Sequence, residues 1–171
     1  MCEQLTKEQY DTLCCSDCNT QKFTLNGRTL FGKVVSVYDG DTCRVNLYIA
    51  PNNLKQFTIR MNGYDSPELR TKNSTEKTCG LISKNTLIKL LEERVVKLEC
   101  LDNDKYGRIL ANLFVKLGDG SELNVNKYMI DNHFGHSYNG GTKTTFDQLY
   151  EQNYYDLNRV VLVPDSINYL M

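Results

Sequence analysis

The chain has 171 residues, with 20 Lys+Arg against 21 Asp+Glu, 40% hydrophobic and 24% charged residues. That is the profile of one soluble globular domain with an ordinary core and some length left for an arm. No run of about 18 apolar residues occurs, which argues against a membrane span. A formal net charge of −1 argues against a protein that coats DNA through a dense positive field.

Met1 to Glu8 has neither the basic flank nor the apolar core of a secretory signal. The seven cysteines are an odd number without framework spacing, which favours a reducing, intracellular setting. Residues 1–22 read as an N-terminal extension, mobile or forming a short helix, since Leu5, Gln9 and Leu13 have helical spacing. Cys14-Cys15-Ser16-Asp17-Cys18 contains a single Cys-x-x-Cys step, with Cys2 as a candidate fourth sulfur. Zinc sites usually pair two such steps, so free thiols on an arm are the preferred reading.

Strand signals begin at Phe23. Phe23–Leu25, the turn Asn26-Gly27 and Thr29–Phe31 read as a hairpin. Lys33–Tyr38 is a β-rich run ending at Asp39-Gly40-Asp41. Cys43–Ile49 alternates, Pro51-Asn52-Asn53 turns, and Gln56–Met61 follows as the third strand of a curved meander. Arg70 to Lys77 reads as a polar loop and Cys79 to Glu93 as a helix with a broad apolar face. Val95–Cys100 and Ile109–Val115 complete five strands. Two further helices are expected, Val125 to about Asn132 and Thr145 to about Asn158. The apolar run Val160–Pro164 belongs to a C-terminal tail, 159–171. Five strands with one helix after the third and two C-terminal helices match an oligonucleotide-binding (OB-fold) barrel of the α+β class over 23–158. The alternation that a parallel sheet requires is missing.

Three segments carry chemistry. Asp39-Gly40-Asp41-Thr42 sits at a strand-to-strand turn, where Asp and Gly are ordinary turn residues. Asp39 is read as the turn residue and Asp41 as the carboxylate that faces a cation. Arg60-Met61-Asn62-Gly63-Tyr64-Asp65-Ser66-Pro67-Glu68 supplies Asp65 as a second hard ligand, and Pro67 biases Ser66 to an extended shape that exposes its carbonyl. Two carboxylates, a carbonyl and waters suit calcium, while no soft-ligand cluster lies nearby. Glu68, three residues beyond Asp65, reads either as an ordinary loop or helix-start carboxylate or as one that could hold and deprotonate a water. Arg60, and Arg108 in Asp104-Lys105-Tyr106-Gly107-Arg108, read either as ordinary surface cations or, flanking acidic turns, as guanidinium forks that match phosphate oxygens. His133 and His136 are read as loop or core residues rather than a metal pair.

In order and setting, these three motifs resemble the staphylococcal nuclease (thermonuclease) family over about residues 30 to 158. The resemblance implies a phosphodiesterase dependent on one Ca²⁺ ion, acting on DNA and RNA with little sequence preference and leaving 3′-phosphate ends. It implies Asp41, Asp65 and the Ser66 carbonyl as metal ligands and Glu68 as general base. Arg60 and Arg108 would stabilise the transition state, and Lys105, Tyr106 and Tyr138 would line the nucleotide pocket. Ser66 stands where threonine is frequent, a change that a carbonyl ligand survives. Nucleic acid is the expected partner of a monomer, with no membrane and no obligate protein partner. The competing reading is a non-catalytic module of the same fold that binds nucleic acid or peptide. A third makes residues 1–22 an interaction arm on a working nuclease.

Overall fold

Alternating apolar side chains roll the middle of the chain into a closed sheet. The computed structural model describes residues 4–157. Its elements are α1 (Lys7–Cys15), β1 (Thr29–Val37), β2 (Thr42–Ala50), β3 (Asn53–Met61), β4 (Tyr64–Asp65), α2 (Ser74–Leu91), β5 (Val95–Asn103), β6 (Ile109–Lys116), β7 (Glu122–Asn124), α3 (Val125–Asp131), β8 (His136–Ser137) and α4 (Phe146–Glu151). The sheet order is β3-β2-β1-β5-β6-β7, and a parallel pairing of β3 with β6 closes five strands into the expected barrel. Each strand contributes alternate residues to the interior, among them Val34, Val45, Leu47, Ile59, Val96, Leu98, Ala111 and Leu113. Leu87, Leu90 and Leu91 of α2 and Val125 and Met129 of α3 join the same core. Burying each such large side chain contributes about 1.5–3 kcal/mol. A Cβ on Gly32 would lie 2.6 Å from Val45 Cγ1 and 2.9 Å from the Asn46 carbonyl, so β1 and β2 pack this closely because position 32 lacks a side chain.

Several local expectations need correction. Phe23–Leu25 is not a strand. Gly27 does turn, with φ +76°, but both edges of β1 are already taken by β2 and β5. The segment instead plugs Leu25 into the core, and the Gly27 N–H donates to the Cys100 carbonyl at 2.9 Å. Thr29–Phe31 and Lys33–Val37 form one continuous strand. Helix α2 starts at Ser74 within the expected polar loop, because the Asn73 side chain accepts from the Thr75 and Glu76 N–H groups at 3.0 and 3.1 Å. Helix α4 stops at Glu151. Left-handed Asn153 (φ +55°) ends it, with the Tyr154 N–H returning to the Leu149 carbonyl. The short strands β4, β7 and β8 were unanticipated. The expected tail at Val160–Pro164, and Cys2, lie outside the described residues.

Helix α1 forms where the arm's periodicity places it, capped by reciprocal Thr6–Gln9 bonds, and it buries no residue. Among the described residues no helix is long and apolar enough to cross a membrane.

Candidate active site

Strand register brings the three sequence motifs together. In the β2–β3 hairpin Thr42 pairs with Arg60, and the Met61 N–H donates to the Asp41 carbonyl at 2.8 Å. In the closing pair β3–β6, Ile59 stands beside Ile109, which delivers Arg108 to the same end of the barrel. Strand β4 pairs with β8 through Tyr64–Ser137 and Asp65–His136. A Cβ on Gly135 would lie 2.3 Å from the Asp65 carbonyl, so this pairing, and with it the position of Asp65, depends on glycine.

At the centre, the Arg60 guanidinium bridges two buried carboxylates. Nη2 donates to Asp65 Oδ1 at 2.6 Å and Nη1 pairs with Asp41 Oδ2, with the Arg60 side chain only 12% exposed. The Ser66 N–H and Oγ both donate to Asp41 Oδ2 at 3.1 Å, and Thr42 Oγ1 donates to Asp41 Oδ1 at 2.8 Å. Every oxygen of Asp41 is therefore held. Arg108 reaches this cluster through Thr42, donating from Nη1 to Thr42 Oγ1 at 3.3 Å.

Arg108 is also clamped locally. Its Nε donates to Asp104 Oδ2 at 2.7 Å, while the N–H groups of Tyr106 and Arg108 donate to Asp104 Oδ1. Burial alone would raise the Asp104 carboxyl. The bonds from Arg108 and Tyr106 outweigh it and hold that group below its ordinary value. Tyr106, exposed on the turn, lies 5.5 Å from the Arg108 guanidinium, and the Lys105 ammonium is 5.0 Å from the same ring.

Glu68 stands apart from the buried cluster. Its side chain is 65% exposed, and its backbone is set by α2. The Glu68 N–H faces Glu76 Oε1 at 3.4 Å, and a Cβ on Gly80 would lie 2.8 Å from the Pro67 carbonyl. Lys143 donates to Asp65 Oδ1 at 2.9 Å and approaches Glu68 Oε1 to 3.7 Å. These groups line a cleft of about 760 Å³ that also contains Asp39, Lys105, Tyr106 and Tyr138, a volume suited to a nucleotide-sized ligand. The Tyr138 N–H donates to the Gly63 carbonyl at 3.0 Å and its hydroxyl to the Gly141 carbonyl at 3.0 Å.

Burial raises the Asp39 carboxyl, opposed by the Thr42 hydrogen bond and the charges of Arg60 and Arg108. Next to it, burial and the Asp39 charge push the Cys43 thiol up to about 12, so it stays protonated and offers no thiolate. The oxygen-only character of the cluster fits a hard divalent cation. Among the described residues no three His, Cys, Asp or Glu side chains form a metal-ligand group. A cation here would rest on Asp41 and Asp65, with backbone carbonyl and water completing its shell.

All nine residues singled out from sequence line this cleft. Two features were not foreseen. The bonds of Arg60 run to carboxylates, and three further residues take part: Asp39, which lines the cleft as well as turning the chain; Thr42, which links Asp41 to Arg108; and Lys143. Thr42 was visible inside the first motif. Lys143, on a polar loop, had no signal.

Comparison with known proteins finds several relatives. Endonuclease Htp3 of Saprolegnia parasitica is 29% identical over 145 residues, 75% of this chain and 68% of that protein. An uncharacterized protein of Methanocaldococcus jannaschii is 29% identical over 120 residues, 58% of this chain and 55% of its own length. The probable staphylococcal-like nuclease CAN3 of Oryza sativa subsp. japonica is 30% identical over 84 residues, 49% of this chain but 19% of that protein. The family described as staphylococcal nuclease homologue matches residues 58–156. With that match running from β3 through α4 and covering more than half of the chain, the protein belongs to the staphylococcal nuclease homologue family.

Proposed function

We propose that this protein is a metal-dependent endonuclease that hydrolyses phosphodiester bonds of DNA or RNA with little sequence preference, leaving 3′-phosphate ends. The observation that carries the reading is the convergence of Asp41, Asp65, Glu68, Arg60 and Arg108 on one cleft of nucleotide size. The nuclease names of two relatives support it.

Asp41, Asp65 and the Ser66 carbonyl would hold one Ca²⁺ ion, which when bound supplies fixed positive charge to a phosphoryl oxygen. The remaining work falls to the chain's own residues. Glu68 presents a solvent-accessible carboxylate at the mouth of the cleft, where it accepts a proton from the attacking water. Arg108, preoriented by Asp104 and Thr42, meets the charge that grows on the phosphoryl oxygens, and Arg60 adds fixed positive charge beside it. Lys105, Tyr106 and Tyr138 frame the nucleotide, the tyrosines offering faces on which a base stacks. The catalytic unit is residues 23–158 acting as a monomer, with 1–22 an extension. The odd number of cysteines without framework spacing supports a reducing compartment.

Single-stranded DNA and RNA incubated with Ca²⁺, Mg²⁺ or chelator test this. Cleavage should require Ca²⁺, and Glu68→Gln should lower the rate by about 10²–10⁴ without a change in melting temperature. Cleavage that survives chelation removes the metal. Nucleic-acid binding without any cleavage favours the non-catalytic module.

A further inference from the structure

We propose that Lys143 is a built-in counter-ion of the acidic cluster, which a divalent cation must displace, and that it thereby sets the metal affinity of the site. The inference rests on the calcium reading above.

Three carboxylates, Asp41, Asp65 and Glu68, face two cations here, Arg60 and Lys143. The two cations are held differently. Arg60, its side chain 12% exposed, bonds both aspartates at once from a strand of the barrel wall. The Lys143 ammonium meets the same Asp65 Oδ1 at 2.9 Å and spans to Glu68 at 3.7 Å, with its side chain 47% exposed.

Its loop is anchored on both sides, and between the anchors the Gly141 carbonyl accepts from the Tyr138 hydroxyl at 3.0 Å. On one side Tyr138 is bonded to Gly63. On the other, Thr145 caps α4, and Asp147 of α4 accepts from the Asn73 side chain at 3.0 Å. Between these anchors Gly140 and Gly141 have φ of +92° and +89°, with open space where a Cβ would stand. The half-exposed Lys143 side chain has solvent to rotate into, whereas Arg60 is enclosed by the barrel wall.

The ammonium also stands on a wall shared by two hollows, since Asp65, Glu68 and Lys143 line both the main cleft and a neighbouring one of about 410 Å³. A cation coordinated by Asp65 would compete for the oxygen that Lys143 occupies and would repel its charge. Displaced, the ammonium remains within reach of Glu68 and of the Tyr138 ring, whose centroid is 5.6 Å away.

The test is calorimetric titration of the intact chain with Ca²⁺, together with melting curves with and without Ca²⁺, for wild type, Lys143→Ala and Lys143→Arg. Lys143→Ala should bind Ca²⁺ about tenfold more tightly, and Lys143→Arg should bind like wild type. The metal-free melting temperature of Lys143→Ala should fall while its Ca²⁺-saturated value matches wild type. Equal affinity in wild type and Lys143→Ala, or weaker binding by Lys143→Ala, overturns this role alone. If wild type binds no Ca²⁺ under any of these conditions, the calcium reading falls and this inference falls with it.

Discussion

The two sides of the cleft are built on opposite principles. On the barrel side, Asp41, Thr42, Arg60, Asp65 and Ser66 are packed and bonded to one another, each oxygen of Asp41 already taken. On the rim, Glu68, Lys105, Tyr106, Tyr138 and Lys143 stand on turns and loops, and Tyr106 is 72% exposed. Charge fixed in a wall requires no reorganisation when substrate arrives, which is where electrostatic catalysis gains most. Groups on a rim can close on chains of different sequence. Under the proposed function, the wall supplies fixed electrostatics, while the rim carries the base Glu68 together with the groups that fit the nucleotide.

Substitutions can break that contrast. The largest loss is expected for Arg60→Ala, which leaves two buried carboxylates facing each other without their counter-ion. Removing one partner of a buried pair costs about 3–5 kcal/mol, to be read by urea denaturation in chelator, and Ca²⁺ should recover part of it. A loss below about 1 kcal/mol would mean that the wall is not built on this pair.

Gly40→Ala should follow, at about 1–3 kcal/mol, because the new Cβ would lie 2.2 Å from Ser83 Oγ and 2.6 Å from Ser66 Cβ. The same denaturation series reads it, and an unchanged midpoint would show that Ser66 can shift without harm. Arg108→Ala belongs to the boundary between wall and rim. Its side chain is 29% exposed, so stability should drop by only about 1 kcal/mol, while cleavage falls by about 10²–10³. A stability loss as large as that of Arg60→Ala would erase the distinction between the two arginines.

The smallest effect is that of Asp39→Asn. Because burial raises its carboxyl, the folded chain binds more protons than the unfolded one between the ordinary value of 3.8 and the raised one. Wild type therefore gains stability as pH falls through that window and carries the cost of a buried charge above it. In chelator, Asp39→Asn should melt higher than wild type near neutral pH, with the gap closing as pH falls toward 4. A gap independent of pH would refute the assignment.

Much of the barrel was legible because its signals are local. Cys43–Ile49 alternates in polarity and Ile109–Val115 is a short apolar run bounded by turn residues, and both lie in strands where those patterns put them. What escaped was settled by distant partners or by single caps. Phe23–Leu25 has strand-forming residues, yet β5 had already taken the edge it would have needed. The first turn of α2, Ser74-Thr75-Glu76-Lys77, has no apolar periodicity and is helical through the Asn73 cap. Strands β4 and β8 are two residues each, too short for any pattern.

The candidate site divides the same way. Residue chemistry alone determined that carboxylates and arginines at these spacings suit a phosphodiester, and motif order alone pointed to the family that the comparison bears out. Only the tertiary structure decided which groups touch. The Thr42–Arg60 register and the β3–β6 closure turn separations of dozens of residues into hydrogen-bond distances, so Arg60 grips aspartates and Thr42 ties Asp41 to Arg108. Lys143 entered the site because a glycine-bearing loop folds back over Asp65. Nothing in its sequence neighbourhood encodes that contact. Residue type sets which interactions are available, whereas strand register and loop return, fixed by burial elsewhere in the core, select the ones that form.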